Sequence, residues 1–226
     1  MEKSRCLGLI GGLGVGATVH YYERLAKGCE QLGFELDIVI TNAQTSRVFE
    51  YVEADNRDGL AEYLNGYILR MKAAGAEIAA IPAATPHFCV KELAAISPVP
   101  VVSIFEPLTG ELATRSARRV AIFGTRYVIT AELFGALKEV EVIRPDPDEV
   151  DTIHATYVEL AATGKGSPEK HEKLTAIAKT LVSRDGVDAI ILAGTDLTLL
   201  FNETNTDFPH IDCAALHIAA ILDQLR

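Results

Sequence analysis

Strand-length apolar runs alternate with helix-length amphipathic stretches along this chain, and the alternation starts twice. In the first half, residues 6–10 read as a strand ending in Gly11-Gly12. Residues 19–32 read as a helix with Tyr22, Leu25, Ala26 and Cys29 on one face. Residues 37–41 form a second strand, and 57–74 a long helix with Leu60, Leu64, Ile68 and Met71 at buried spacing. Residues 77–81 and 99–104 are strands three and four. The pattern then restarts, with a strand over 119–123 running into Gly124-Thr125, a helix over 131–137 and a short strand over 141–144. Helices over 148–162 and 168–184 follow, then a strand over 188–192 ending in Ala193-Gly194-Thr195. His210 and Ile211 lead into a last helix over 214–225. Strands that are apolar throughout, rather than at every second residue, suit a parallel sheet covered on both faces.

The halves lie over one another. Leu9-Ile10-Gly11-Gly12 matches Ala121-Ile122-Phe123-Gly124, and Glu77–Ile81 matches Asp188–Leu192, each followed within a few residues by a threonine, Thr85 or Thr195. The expected fold is α/β: two similar four-stranded parallel-sheet half-domains related by a pseudo-twofold axis, with the active-site cleft between them. The expected division is residues 1–104 with 212–226 against 105–211. Ligands of such sheets gather at the carboxyl ends of the strands.

The bulk properties exclude several classes. The net charge is −10 over 226 residues, and the only basic cluster, Arg115–Arg119, is too short to read as a nucleic-acid surface. No apolar run approaches the ~20 residues of a membrane span. Met1–Arg5 leads into the first strand without a cleavage site, so no leader is read there. Cys6, Cys29, Cys89 and Cys213 are scattered, with no CxxC pair, which argues against a disulfide framework and for a cytoplasmic protein with reduced thiols. His20, His154, His171, His210 and His217 show no metal-ligand spacing.

The first loop, Gly11-Gly12-Leu13-Gly14-Val15-Gly16-Ala17-Thr18, contains G-x-G-x-x-A through Gly12, Gly14 and Ala17. Such glycines let a backbone approach a phosphate at a helix N-terminus. A dinucleotide site also needs an acidic residue ending strand two, where this chain has Thr41-Asn42. Three readings stay open: a nucleotide-dependent enzyme, a plain strand-to-helix turn, and a backbone cradle for a substrate carboxylate that includes Gly12.

Two further loops follow matched strands: Pro82-Ala83-Ala84-Thr85-Pro86-His87 and Ala193-Gly194-Thr195-Asp196. With Ala17-Thr18, Tyr22, Gly124-Thr125, residues 153–160, Lys165 and Asp212–His217, their order along the whole chain resembles the aspartate/glutamate racemase superfamily. That resemblance implies cofactor-independent chemistry at the α-carbon of a small mono- or dicarboxylic acid or amino acid, and a homodimer. It also implies a Cys-Asn-Thr-x-His motif in the first half and a Gly-Cys-Thr-Glu motif in the second, whose cysteines pass a proton across the substrate. Here those cysteine positions hold Ala83 and Gly194, Ala84 stands for the asparagine and Asp196 for the glutamate. Neither alanine nor glycine exchanges a proton, and Cys89, just past His87, reads as a small buried side chain.

The remaining candidates are polar. Arg47, after Gln44, resembles the family's carboxylate-binding arginine, and Lys165 the lysine that reaches over the same group. Thr85, Thr125 and Thr195 are candidate donors to a second carboxylate, with helix capping as the competing role. Asp196 and His87 are the candidate acid–base groups, with Thr85 and Thr195 beside them. The expectation is isomerase, lyase or hydrolase chemistry without cysteines or cofactor. The alternatives are a non-catalytic dicarboxylate binder that kept the cleft, and the nucleotide-dependent enzyme.

Overall fold

The computed structural model describes residues 4–226, so the leader reading of the first three residues lies outside it. The chain builds two four-stranded sheets, every pair parallel. The first runs β1 (Leu7–Gly11), α1 (Val15–Leu32), β2 (Ile38–Asn42), α2 (Thr45–Glu53), α3 (Arg57–Ala73), β3 (Ile78–Ala80), a 3-10 turn over Thr85–Cys89, α4 (Val90–Ile96) and β4 (Val101–Val102). Then come α5 (Phe105–Arg115), β5 (Arg119–Phe123), α6 (Arg126–Thr130), the single turn α7 (Glu132–Gly135), β6 (Glu141–Val142), α8 (Pro147–Thr163) and α9 (Pro168–Asp185). β7 (Ala189–Leu192), a 3-10 turn over Thr195–Leu199, β8 (His210–Asp212) and α10 (Cys213–Gln224) complete the chain. The sheet orders are β2-β1-β3-β4 and β6-β5-β7-β8, the same order in each half, which is the two-half α/β architecture.

The central strands are apolar because both faces are covered. Leu7, Leu9, Ile10, Val120, Ala121, Ile122 and Phe123 are fully buried. α3 packs Leu60, Leu64, Ile68 and Met71 inward, as their spacing predicts. α10 follows β8 out of the second sheet and returns to the first, where Ala214, Ile218 and Ile221 join Leu7, Leu9 and Tyr21 in one core.

Several boundaries differ from the sequence reading. α1 starts at Val15 rather than 19, and its buried ridge is Tyr21, Leu25, Gly28 and Cys29, while Tyr22 is 48% exposed. One residue is a 100° rotation, enough to turn Tyr22 off the core face. The strand over 99–104 shrinks to Val101–Val102, because Ser103 Oγ accepts from the N–H groups of Phe105 and Glu106 and starts α5. The helix over 131–137 is displaced toward the N-terminus as α6, which ends at Thr130, and a left-handed turn follows in its place: Glu132, Leu133 and Phe134 have φ of 48°, 53° and 58°. Burial of Leu133 and the packing of Phe134 on Phe88, 5.4 Å between centroids, accompany that conformation. The amphipathic α2 and α5 were not read from the sequence.

Candidate active site

Hydrogen bonds across the molecular middle join the carboxyl ends of the two sheets. Thr85 and Thr125 hydroxyls lie 3.0 Å apart, and Thr195 donates to the carbonyl of Pro82 at 2.8 Å. Thr125 also N-caps α6 by accepting from Val128 N–H. A cavity of about 130 Å³ opens beside these bridges. Leu13, Thr45, Val48, Phe49, Ala83, Thr85 and Pro86 of the first half line it, with Thr125, Tyr157, Val158, Ala161 and Ala162 of the second.

The first-half loop is braced from behind by His87. Its Nδ1–H donates to the Ala83 carbonyl at 2.9 Å, since a carbonyl only accepts. Nε2 therefore carries the lone pair and accepts from Ile104 N–H at 3.3 Å. Burial pushes His87 down to about 4, so it is neutral at pH 7 with both nitrogens committed to backbone. His217 stands behind it, centroids 6.1 Å apart, donating from Nε2 to Val102 O and accepting at Nδ1 from the Tyr21 hydroxyl. Burial, and His87 beside it, take His217 to about 3. The structure thus puts His87 in a bracing position, without a spare lone pair for a substrate.

The second-half loop does something different with its acid. Asp196 is fully buried. Oδ1 accepts from Ala17 N–H at 2.8 Å, in the first turn of α1 in the other half, and Oδ2 accepts from the Tyr157 hydroxyl at 3.3 Å. Burial raises its pKa, and these hydrogen bonds work against the rise. Gly14 is needed here twice over: its φ is +147°, and a Cβ on it would overlap Asp196 Oδ2. The glycine loop thus closes on a protein carboxylate. The nucleotide reading is corrected accordingly, because the helix N-terminus that a phosphate would occupy already holds Asp196.

Gly194 has no room for a side chain. A Cβ there would overlap Cε2 and Cδ2 of Tyr157, whose ring fills that volume. Tyr157 comes from the buried face of α8 and reaches the cavity wall with its hydroxyl turned toward Asp196. Burial first, then the Asp196 charge, hold its phenol well above the ordinary value. Sequence reasoning did not single out Tyr157. The only signal was its place in the segment 153–160, and a tyrosine in an amphipathic helix reads as core. Thr45 was also missed; its hydroxyl donates to Gly12 O at 3.1 Å at the cavity edge.

The predicted cations are elsewhere. Arg47 is exposed, pairs with Glu50 at 2.5 Å and lies over the Tyr51 ring, 5.6 Å from its centroid. It is not part of the cavity wall. Lys165 is exposed on the turn between α8 and α9. That turn packs near the α1 start, since a Cβ on Gly164 would stand 3.8 Å from Gly16 N. Gln44 is exposed and its N–H donates to the Tyr63 hydroxyl, while Gly12, at φ +81°, sits against Ala43 and Asn42. Cys6, Cys29, Cys89 and Cys213 are all buried and unpaired, and burial takes the Cys89 thiol up to about 12. Among the described residues no cluster of three or more His, Cys, Asp or Glu could hold a metal ion. No helix among them is long and apolar enough to cross a membrane.

Two pseudo-symmetric parallel α/β halves with their strand ends meeting at one cavity define a racemase-type fold. The family model described as Asp/Glu/Hydantoin racemase matches residues 10–221, and the chain belongs to that family. Its fold is similar to an aspartate racemase homologue from Pyrococcus horikoshii, at 24% identity and TM-score 0.76, covering 99% of this chain and 98% of the other. It is also similar to Picrophilus torridus aspartate racemase, at 20% identity and TM-score 0.77 over 97% and 94% of the two chains. A glutamate racemase from Francisella tularensis, solved with D-glutamate, aligns at 12% identity and TM-score 0.64 over 98% and 80%.

Proposed function

We propose that this chain acts without a cofactor at the α-carbon of a small carboxylic or amino acid bound in the cavity between its halves, moving the proton without cysteine. One observation carries the reading: among the cavity-lining residues Tyr157 is the one ionisable side chain, and its hydroxyl is bonded to buried Asp196. In the forward step the substrate Cα–H proton passes to the Tyr157 oxygen while the Tyr157 proton passes to Asp196 Oδ2. This leaves an enolate-like substrate and a neutral Asp196. The raised pKa of Asp196 favours that end state. The Thr85–Thr125 pair, in which one hydroxyl donates to the other, offers its remaining hydroxyl proton to the developing charge on the substrate carboxylate. The first half offers only Ala83 at its cysteine position, so the exchange is one-sided, as in a stereospecific isomerase or a lyase.

The test is α-proton exchange in deuterated water, followed by proton NMR on a panel of aspartate, glutamate, phenylglycine and phenylacetate. Exchange is expected for at least one of them, and Tyr157→Phe should slow it by about a hundredfold or more. Exchange that survives intact in Tyr157→Phe, or its absence across the panel, would sink the reading. A second reading, a non-catalytic binder, is favoured by the high phenol pKa and by the engagement of its proton with Asp196. It predicts thermal stabilisation by panel members without exchange.

A further inference from the structure

The cavity wall carries no charge and almost no unused donor. Thr45 donates to Gly12 O and Tyr157 to Asp196. Thr195, behind the wall, donates to Pro82 O. Within the Thr85–Thr125 pair one hydroxyl donates to the other, and Thr125 accepts from Val128 N–H, so the pair has a single hydroxyl proton left for a ligand. Of the cations nearby, Arg47 pairs with Glu50, Arg126 pairs with Asp151 at 2.9 Å, and Lys165 is exposed on the turn after α8; none of the three is part of the wall. The rest of the wall is aliphatic or aromatic, through Leu13, Val48, Phe49, Val158 and Ala161. A cavity of about 130 Å³ is close to one that accepts a benzene-sized guest.

From this inventory we infer that the substrate class is a monocarboxylate with an apolar substituent about the size of one ring, and not a dicarboxylate. The single carboxylate lies against Thr85 and Thr125, and the apolar group fills the Leu13–Val48–Val158 side. A second carboxylate would find no spare hydroxyl donor in the wall, since those of Thr45 and Tyr157 are engaged, and would be desolvated without compensation there. This inference rests on the reading that the cavity between the halves is the substrate site, but it does not need the chemistry to occur.

The test is calorimetric titration of the full-length protein with phenylacetate and with succinate. Phenylacetate is expected to bind at least about tenfold more tightly. Ala162→Lys places a cation on an exposed rim residue of the same cavity and should raise succinate affinity by about tenfold, narrowing its gap to phenylacetate. Ala161→Phe should weaken phenylacetate by about tenfold or more by filling the cavity. Thermal unfolding of both variants checks that they fold. Succinate binding as tightly as phenylacetate, with Ala161→Phe abolishing both, overturns the substrate class and leaves the site standing. Binding of phenylacetate that Ala161→Phe does not change overturns both the site and the inference. Phenylacetate binding that is blocked by Ala161→Phe, but shows no exchange, supports the inference and tells against the catalytic reading instead.

Discussion

The loops after β3 and β7 have the same backbone plan and opposite duties. Each leads into a five-residue 3-10 turn that begins on a threonine, Thr85 in one and Thr195 in the other. The first is braced within its own half: His87 ties Ala83 O to Ile104 N and Ala83 stays at the cavity wall, while Thr85 alone reaches across to Thr125. The second reaches outward: Thr195 holds Pro82 and Asp196 holds Ala17, both in the other half. One loop mainly shapes the cavity and the other mainly fastens the halves. Repeating a fold therefore does not repeat the work of its strand ends. The buried polar partner chosen at each end, an imidazole or a carboxylate, decides which duty it has.

The two braces should fail at different pH, which is the largest expected effect. His87 and His217 have folded-state pKa values of about 4 and about 3, against 6.5 unfolded. A depressed histidine stabilises the fold above the unfolded pKa and loses that stabilisation as pH falls toward the folded value. At pH 5 each would have lost about 2 kcal/mol, on the order of 4 kcal/mol together. Asp196 runs the other way, because a raised carboxyl pKa costs stability only as pH rises through it. Urea unfolding at pH 7, 6 and 5 should show this loss, and His87→Gln should remove about half of it, leaving the share of His217, since glutamine keeps a donor and an acceptor without titrating. A pH-independent midpoint over this range would refute the assignment of both histidines as neutral braces.

The sequence carried the repeat well because apolar strands and the helix face Leu60–Met71 are local patterns. It carried the four strand-end loops too, including Thr85, Thr125 and Thr195, because glycine and threonine clusters punctuate strands. The duties were illegible, because they depend on what stands across the cleft. Gly194 and Tyr157 are 37 positions apart, and nothing local says that one exists to admit the other's ring. Gly14 looked like half of a phosphate motif until Asp196, from the far half, proved to fill it. Arg47 shows the opposite case: its position resembles a ligand clamp, and in this structure it pairs with Glu50 one helical turn on at the surface.

The fastening duty can be cut at one residue. Asp196→Ala leaves Ala17 N–H and the Tyr157 hydroxyl buried without acceptors, at about 1–3 kcal/mol each, so a loss of on the order of 3 kcal/mol is expected. Asp196→Asn keeps one acceptor and should cost about half as much. Because the lost contacts join the halves, amide hydrogen exchange should rise in the first turn of α1 and in α8, with less change in α3. A uniform rise through both sheets would mean that Asp196 supports the general fold and has no particular role between the halves.

Restoring cysteine at each loop separates the two ends at smaller cost. Gly194→Cys must displace the Tyr157 ring, and overpacking of this kind costs typically about 1–3 kcal/mol. Ala83→Cys adds one sulfur at a wall that borders open cavity, so its unfolding midpoint should stay within about 0.5 kcal/mol of the parent. The new Cys at 83 should also react with a small maleimide faster than the buried native thiols, and phenylacetate should slow that reaction if the cavity is the ligand site. Tyr157→Ala should cost less in the Gly194→Cys background than in the parent, because it vacates the volume the new side chain needs, a coupling that a double-mutant cycle reads directly. Equal tolerance of cysteine at both positions would break the contrast, because it would mean that Gly194 is small for a reason other than Tyr157.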